Sequence, residues 1–239
     1  MNKKRHYISL TIALSLSFWG CDQASTNDQV VTEQQVHNDT TTTAEAPKNE
    51  RTKTIVFFGN SLTAGYGLEP DQAFPALLQE RIDSLGLPYK AVNAGLSGET
   101  SAGGKSRIDW LLKQPIDVFV LELGANDGLR GIDPASTYDN LATIIDKVRA
   151  QNPEAVIILA GMQMPPSMGQ RFTKEFEQVY TRLSNDKDVA LIPFLLEGVA
   201  GDRALNQGDG IHPTIEGQRI LADNVWEVLE PILVANRAS

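Results

Sequence analysis

One cysteine in 239 residues, at position 21, excludes an internal disulfide, so the fold has no covalent staple. Basic side chains are short in supply, 21 against 30 acidic ones, and form no basic patch; phosphate binding needs clustered Lys and Arg, so a nucleic-acid partner is excluded. Internal repeats are absent. Histidine occurs only three times, as His6, His37 and His212, which leaves little choice for acid–base chemistry. What remains is a 41% hydrophobic chain, enough to build the core of one ordinary catalytic domain after a leader.

The first twenty residues differ from all that follow: Lys3, Lys4 and Arg5 precede ISLTIALSLSFWG, and Cys21 comes next. This charged-then-apolar order, too short for an ordinary spanning helix, is that of an export signal. The segment resembles a bacterial lipoprotein signal, in which cleavage leaves Cys21 as a lipid-modified amino terminus. Gly20 fits that pattern, while Phe18 and Trp19 stand where such signals usually carry an aliphatic and a small residue. Plain secretion and an uncleaved anchor are the alternatives. Residues 21–52 are nearly without large apolar side chains and cannot offset their ordering entropy, so they are expected to form a flexible polar tether, with His37 solvated. A lipid on Cys21 would be the chain's one membrane contact and would hold the domain in the cell envelope. The lipoprotein modification supplies the two acyl chains that stable anchoring needs.

From residue 53 to 239, short β-branched apolar runs alternate with longer amphipathic ones: TIVFFG is followed by FPALLQERIDSL, YKAVN by a Gly-rich turn and KSRIDWLLK, DVFVLEL by PASTYDNLATIIDKVRAQ (Pro134 to Gln151), AVIILAG by TKEFEQVYTRLSN, and VALIPF by PTIEGQRILADNVWEVLEPIL. This predicts an α/β domain, a five-stranded parallel sheet with helices on both faces in a three-layer α/β/α sandwich. In such sheets functional loops lie beyond the carboxyl ends of the strands. The polar knots of the sequence fall there: GNS after the first run, NAGLSGETSAGG after the second, GANDG after the third, GMQMPPSMG after the fourth, and DGIHPT in a loop after the fifth.

In DGIHP, His212 precedes a proline and is expected to be extended, with a helix starting at Pro213. Asp209, three residues away, can set its tautomer and stabilise its protonated form. A plain alternative is an Asp–His pair that caps the last helix. Ser61 is a candidate nucleophile for that base, or merely the cap of a helix near Leu62. Thr63 two positions on excludes the GxSxG elbow of the α/β-hydrolases. The Ser61 amide, Gly95 and the Asn126 side chain are candidate donors for a tetrahedral oxyanion; singly, Gly95 and Asn126 are equally well explained as turn residues.

Taken in order and spacing, GNSL with Ser61, NAGLSG with Gly95, GAND with Asn126 and DGIH with Asp209 and His212 resemble the blocks of the SGNH, or GDSL, hydrolases, over about Thr54 to Leu233. Within them the surrounding text is most similar to the arylesterase, acyl-CoA thioesterase and lysophospholipase subgroup. The resemblance implies the flavodoxin-like fold of that family and a Ser61–His212–Asp209 triad. It also implies an oxyanion hole from Ser61, Gly95 and Asn126, a small-molecule acyl ester or thioester substrate, and no metal or organic cofactor. A carbohydrate O-deacetylase and a non-catalytic binding lipoprotein are the rival readings. Met162, Met164, Pro165, Pro166, Met168, Phe194, Leu195, Leu196 and Val199 are expected to border the site or to cover the sheet's end, and Glu69, Arg130 and Glu197 to lie near its rim, reading a polar head group or, more commonly, simply solvated. The common family motif has aspartate where this chain has Asn60, which is expected to be a support residue, since the acid of the triad is Asp209.

Overall fold

The computed structural model describes residues 51–236, so the expected export signal, Cys21 and residues 22–50 of the tether lie outside the described residues. Arg51, assigned to the tether, pairs with Asp117 of the domain (2.5 Å), so described contacts reach at least two residues before the expected boundary.

Five parallel strands form the sheet: β1 (Lys53–Gly59), β2 (Tyr89–Gly95), β3 (Val118–Glu122), β4 (Val156–Ala160) and β5 (Ala190–Ile192), in the order β2-β1-β3-β4-β5. Val56 lies level with Val92 on one side and Phe119 on the other. β3 is buried throughout, as is β1 from Ile55 onward, because helices cover both faces; that is why these strands read as continuous apolar runs rather than alternating ones. Successive residues of β1 meet different layers. Phe57 packs edge-on against Phe74 of α2 (Phe74–Ser84), while the Phe58 ring lies under the Arg107 guanidinium of α3 (Ser101–Leu111). α3 packs beside α5 (Pro134–Gln151), which packs beside α6 (Gln170–Lys187), and α2 packs against the last helix, α7 (Ile215–Ala235).

Two boundaries differ from expectation for identifiable reasons. α3 starts at Ser101, well before the expected KSRIDWLLK, because the Thr100 side chain caps it by accepting from Gly103 N–H and because Gly104 lets it lie close on the sheet. A Cβ at Gly104 would come 2.3 Å from Leu123. α7 starts at Ile215 rather than Pro213: Pro213 is held in a bridge to Asn206, and Thr214 supplies the cap by accepting from Gly217 N–H. β5 is only three residues long and stops before Pro193, which has no N–H to continue the ladder.

The strand order reverses direction between β1 and β3. At such a switch point the loops leaving the two strands part in opposite directions and open a crevice beyond their carboxyl ends. Ser61 and Asn126 both lie there, in α1 (Ser61–Ala64) and α4 (Ala125–Leu129).

Candidate active site

The turn after β1 is built around a buried carboxylate. Gly59 lies level with Glu122 at the end of β3, and a Cβ there would meet Thr63 Oγ1 at 2.1 Å and Glu122 Oε2 at 2.5 Å, so only glycine fits. Glu122, 1% exposed, accepts from Asn60 N–H (3.0 Å), Asn60 Nδ2 (2.6 Å) and Thr63 Oγ1 (2.8 Å). Burial pushes its carboxyl up to about 7, against those hydrogen bonds, which lower it. Asn60 is the cap of α1: its Oδ1 accepts from Leu62 N–H at 3.0 Å. The capping role considered for Ser61 therefore belongs to its neighbour, and Ser61 is the first residue of the helix. The same Asn60 Oδ1 lies 3.3 Å from Ser61 Oγ. Because Leu62 N–H fixes which end of the amide is oxygen, Nδ2 must face Glu122, a donor where aspartate would bring a second acid.

The loop before α7 carries Asp209 and His212. His212 Nε2 lies 3.0 Å from Ser61 Oγ, and His212 Nδ1 lies 2.7 Å from Asp209 Oδ2. Asp209 Oδ1 also accepts from the backbone N–H of Ile211 and of His212, both at 3.0 Å, which curls the loop and aims the carboxylate at the ring. The hydrogen bond from His212, helped by those two amides, lowers the Asp209 carboxyl to about 2, so it is ionised at neutral pH. Since Thr214 caps α7, neither Asp209 nor His212 does so. Two unforeseen residues brace the loop. Tyr66 places its ring 4.5 Å from that of His212, and Gln207 donates Nε2 to Tyr66 O (2.7 Å) and Pro213 O (3.0 Å) while its N–H donates to His212 O (2.7 Å).

Of the three expected oxyanion donors, Ser61 and Asn126 line the crevice and Gly95 does not. Gly95 ends β2, its N–H donates to Asn93 Oδ1 at 2.9 Å, and its missing side chain answers a packing need, for a Cβ would come 2.3 Å from Ala64 N. Gly98, three residues on, lines the crevice instead, with φ +79°, and among the described residues its N–H has no hydrogen-bond partner. Asn126 Nδ2 donates to Glu99 O at 3.0 Å, which fixes the amide's orientation and leaves its second N–H for another acceptor.

The crevice opens into a cavity of about 880 Å³. Of the residues expected to border it or to cover the sheet's end, Met162, Met164, Pro165, Pro166, Phe194 and Leu196 line it and Met168, Leu195 and Val199 do not; of those expected near the rim, Glu197 lines it and Glu69 and Arg130 do not. Leu195 and Val199 are buried in the core, and Arg130 donates to Gly98 O at 3.1 Å. Among the described residues no group of three or more His, Cys, Asp or Glu side chains is gathered as metal ligands, and no helix is long and apolar enough to cross a membrane.

Such a hydroxyl–imidazole–carboxylate line, with backbone and amide donors beside the hydroxyl, can carry nucleophilic acyl transfer. Comparison with known proteins agrees in kind. Residues 57–220 match the model of the GDSL-like Lipase/Acylhydrolase family. The chain is 43% identical over 182 residues to Esterase TesA of Pseudomonas aeruginosa, covering 76% of this chain and 90% of that protein. It is 39% identical over 181 residues to Thioesterase 1/protease 1/lysophospholipase L1 of Escherichia coli strain K12, covering 75% and 85% respectively. Among solved structures, the psychrotrophic esterase EstA from Pseudoalteromonas sp., inhibited by monoethylphosphonate, superposes with a TM-score of 0.71 at 34% identity, over 76% of this chain and 98% of that one.

Proposed function

The chain belongs to the GDSL-like lipase/acylhydrolase family, and from that premise we propose that it hydrolyses carboxylic esters and thioesters through an acyl-enzyme on Ser61. The observation that carries this reading is the unbroken line from Ser61 Oγ through His212 to the ionised Asp209. His212 Nε2 takes the Ser61 proton as Oγ attacks the acyl carbonyl. The carbonyl electrons move onto oxygen, held by Ser61 N–H, Gly98 N–H and the Asn126 amide. Collapse breaks the bond to the alcohol or thiol, which leaves with the proton from His212. Water, deprotonated by the same nitrogen, then releases the acid and restores Ser61. Gly98 takes the role expected of Gly95, because it lines the crevice and Gly95 does not.

The cavity sets the acyl preference. Met162, Met164, Phe194 and Leu196 offer a flexible apolar wall beside Ser61, suited to an acyl chain longer than acetate, as in a lysophospholipid or an acyl-CoA. With the leader read as a lipoprotein signal, Cys21 anchors this domain in the cell envelope. Hydrolysis of p-nitrophenyl esters from acetate to palmitate, run beside a lysophospholipid assay, tests the substrate class. Activity that rises from acetate to medium or long chains supports it; activity confined to acetylated sugars contradicts it. Incorporation of a labelled fatty acid into the full chain, lost in Cys21→Ser, tests the anchor.

A further inference from the structure

The loop from Leu96 to Thr100 carries Gly98 and joins β2 to α3. Few of its own backbone bonds define it: Leu96 N–H donates to Gly59 O (2.9 Å) and Glu99 N–H to Leu96 O (3.1 Å). Arg130 donates to Gly98 O (3.1 Å), and the loop's two ends are tied by Arg107, which reaches back from α3. Its Nη2 donates to Ala94 O at 2.7 Å, at the end of β2 just before the loop. Its Nε and Nη2 also form a two-pronged pair with the Glu99 carboxylate, 2.6 Å each, where the loop ends. Glu99 is 7% exposed, and the guanidinium carbon lies 4.0 Å above the Phe58 ring. A pair so placed is little exposed to solvent, and its geometry is that of a rigid fork rather than a point charge.

The fork holds the segment that carries one candidate oxyanion donor and anchors a second. Between its two anchor points sits Gly98, and the main-chain oxygen of Glu99 accepts Asn126 Nδ2 at 3.0 Å. We propose that Arg107 is a positioning residue of the oxyanion hole: one guanidinium clamps both ends of the loop and so sets the places of the Gly98 N–H and the Asn126 amide together. It touches no substrate atom and acts only through those two donors. The inference rests on the reading of Gly98 and Asn126 given above. Oxyanion donors act only when fixed before the charge develops, and a misplacement of about 1 Å is enough to lower a rate about 10²-fold. A lysine, with one compact ammonium, reaches Glu99 or Ala94 but cannot reproduce the fork.

The test is a double-mutant cycle in kcat with a short-chain p-nitrophenyl ester, using Arg107→Met, Asn126→Ala and the pair, with thermal melting to establish that each is folded. Arg107→Met is expected to lower kcat about tenfold to 10²-fold with KM changed less than about threefold, and Arg107→Lys to follow it rather than the wild type. In the Asn126→Ala background the Arg107→Met loss is expected to shrink to less than about threefold, since part of what it positions has gone. A folded Arg107→Met with wild-type kcat overturns the inference, and so do two losses that multiply in full. Should Arg107→Met fail to fold, Glu99→Gln removes half of the fork with little change of volume and enters the same cycle with the same expectations; wild-type kcat there overturns the inference. Full kcat in Asn126→Ala alone overturns the oxyanion reading and the inference with it. A loss of about 10²–10³ in Asn126→Ala combined with multiplicative Arg107 losses overturns the inference alone.

Discussion

Glu122→Gln is the perturbation whose size is most directly worked from the structure. Glu122 is buried at the end of β3 and its carboxyl is raised from 4.5 to about 7, chiefly because burial penalises the anion. Between those two values the folded protein holds a proton that the unfolded chain releases. The stability associated with that proton is fully present below about pH 4.5 and is lost as pH rises through about 7. At about 1.4 kcal/mol per pH unit, the interval amounts to about 3 kcal/mol. Glutamine cannot titrate, and it presents an NH₂ to neighbours that are themselves donors, Asn60 N–H, Asn60 Nδ2 and Thr63 Oγ1, so the variant carries a penalty of its own that does not depend on pH. Urea denaturation of both proteins between about pH 4.5 and 8 separates the two effects, because every other titrating group is common to both. The stability of the wild type relative to the variant should fall by about 3 kcal/mol across that range. A difference that stays flat within about 1 kcal/mol would refute the claim that Glu122 is a raised, titrating acid.

Other perturbations reach the chemistry itself. Asn60→Asp brings a second carboxyl against Glu122 where an amide donor now lies 2.6 Å away, so the pair must share a proton; kcat is expected to stay above about a tenth of wild type near pH 6 and to decline relative to wild type as pH rises, read from paired pH–rate profiles. Asp209→Asn removes the anion that fixes the His212 tautomer, and kcat should drop by about 10⁴ with the fold intact by circular dichroism. Leu196→Trp fills part of the cavity, so kcat/KM for long-chain p-nitrophenyl esters should fall about tenfold while that for the acetate ester changes less than about threefold.

Much of this was legible in the sequence, and the exceptions have physical reasons. α5 spans the stretch read from its apolar periodicity, Pro134 to Gln151, since Asp133 caps it by accepting from Ala135 N–H and proline suits a first helical position. The strand runs placed Ser61, Asn126, Asp209 and His212 at one edge of the sheet because parallel βα units leave no other place for the loops after each strand. Between Gly95 and Gly98 the sequence offers no such guide. Both are glycines of NAGLSG, and only the register of β2 beside β1 shows that Gly95 still belongs to the strand. Glu122 reads as part of an apolar strand run, and its meaning lies in Asn60, 62 residues earlier in the chain. Arg107 and Gln207 read as ordinary surface polar residues of a helix and a loop, and what they hold is decided by folding. Asn60 departs from the family motif in the sequence, and Glu122 is the partner that makes an amide sensible there.

The central claim, that Ser61 is the nucleophile of an acyl-enzyme, is tested most directly by intact-protein mass spectrometry after brief exposure to a fluorophosphonate, followed by peptide mapping. The expected result is one adduct on Ser61, absent in Ser61→Ala, together with loss of nearly all p-nitrophenyl ester turnover in that variant. An adduct on another serine, or normal turnover by a folded Ser61→Ala, would contradict it.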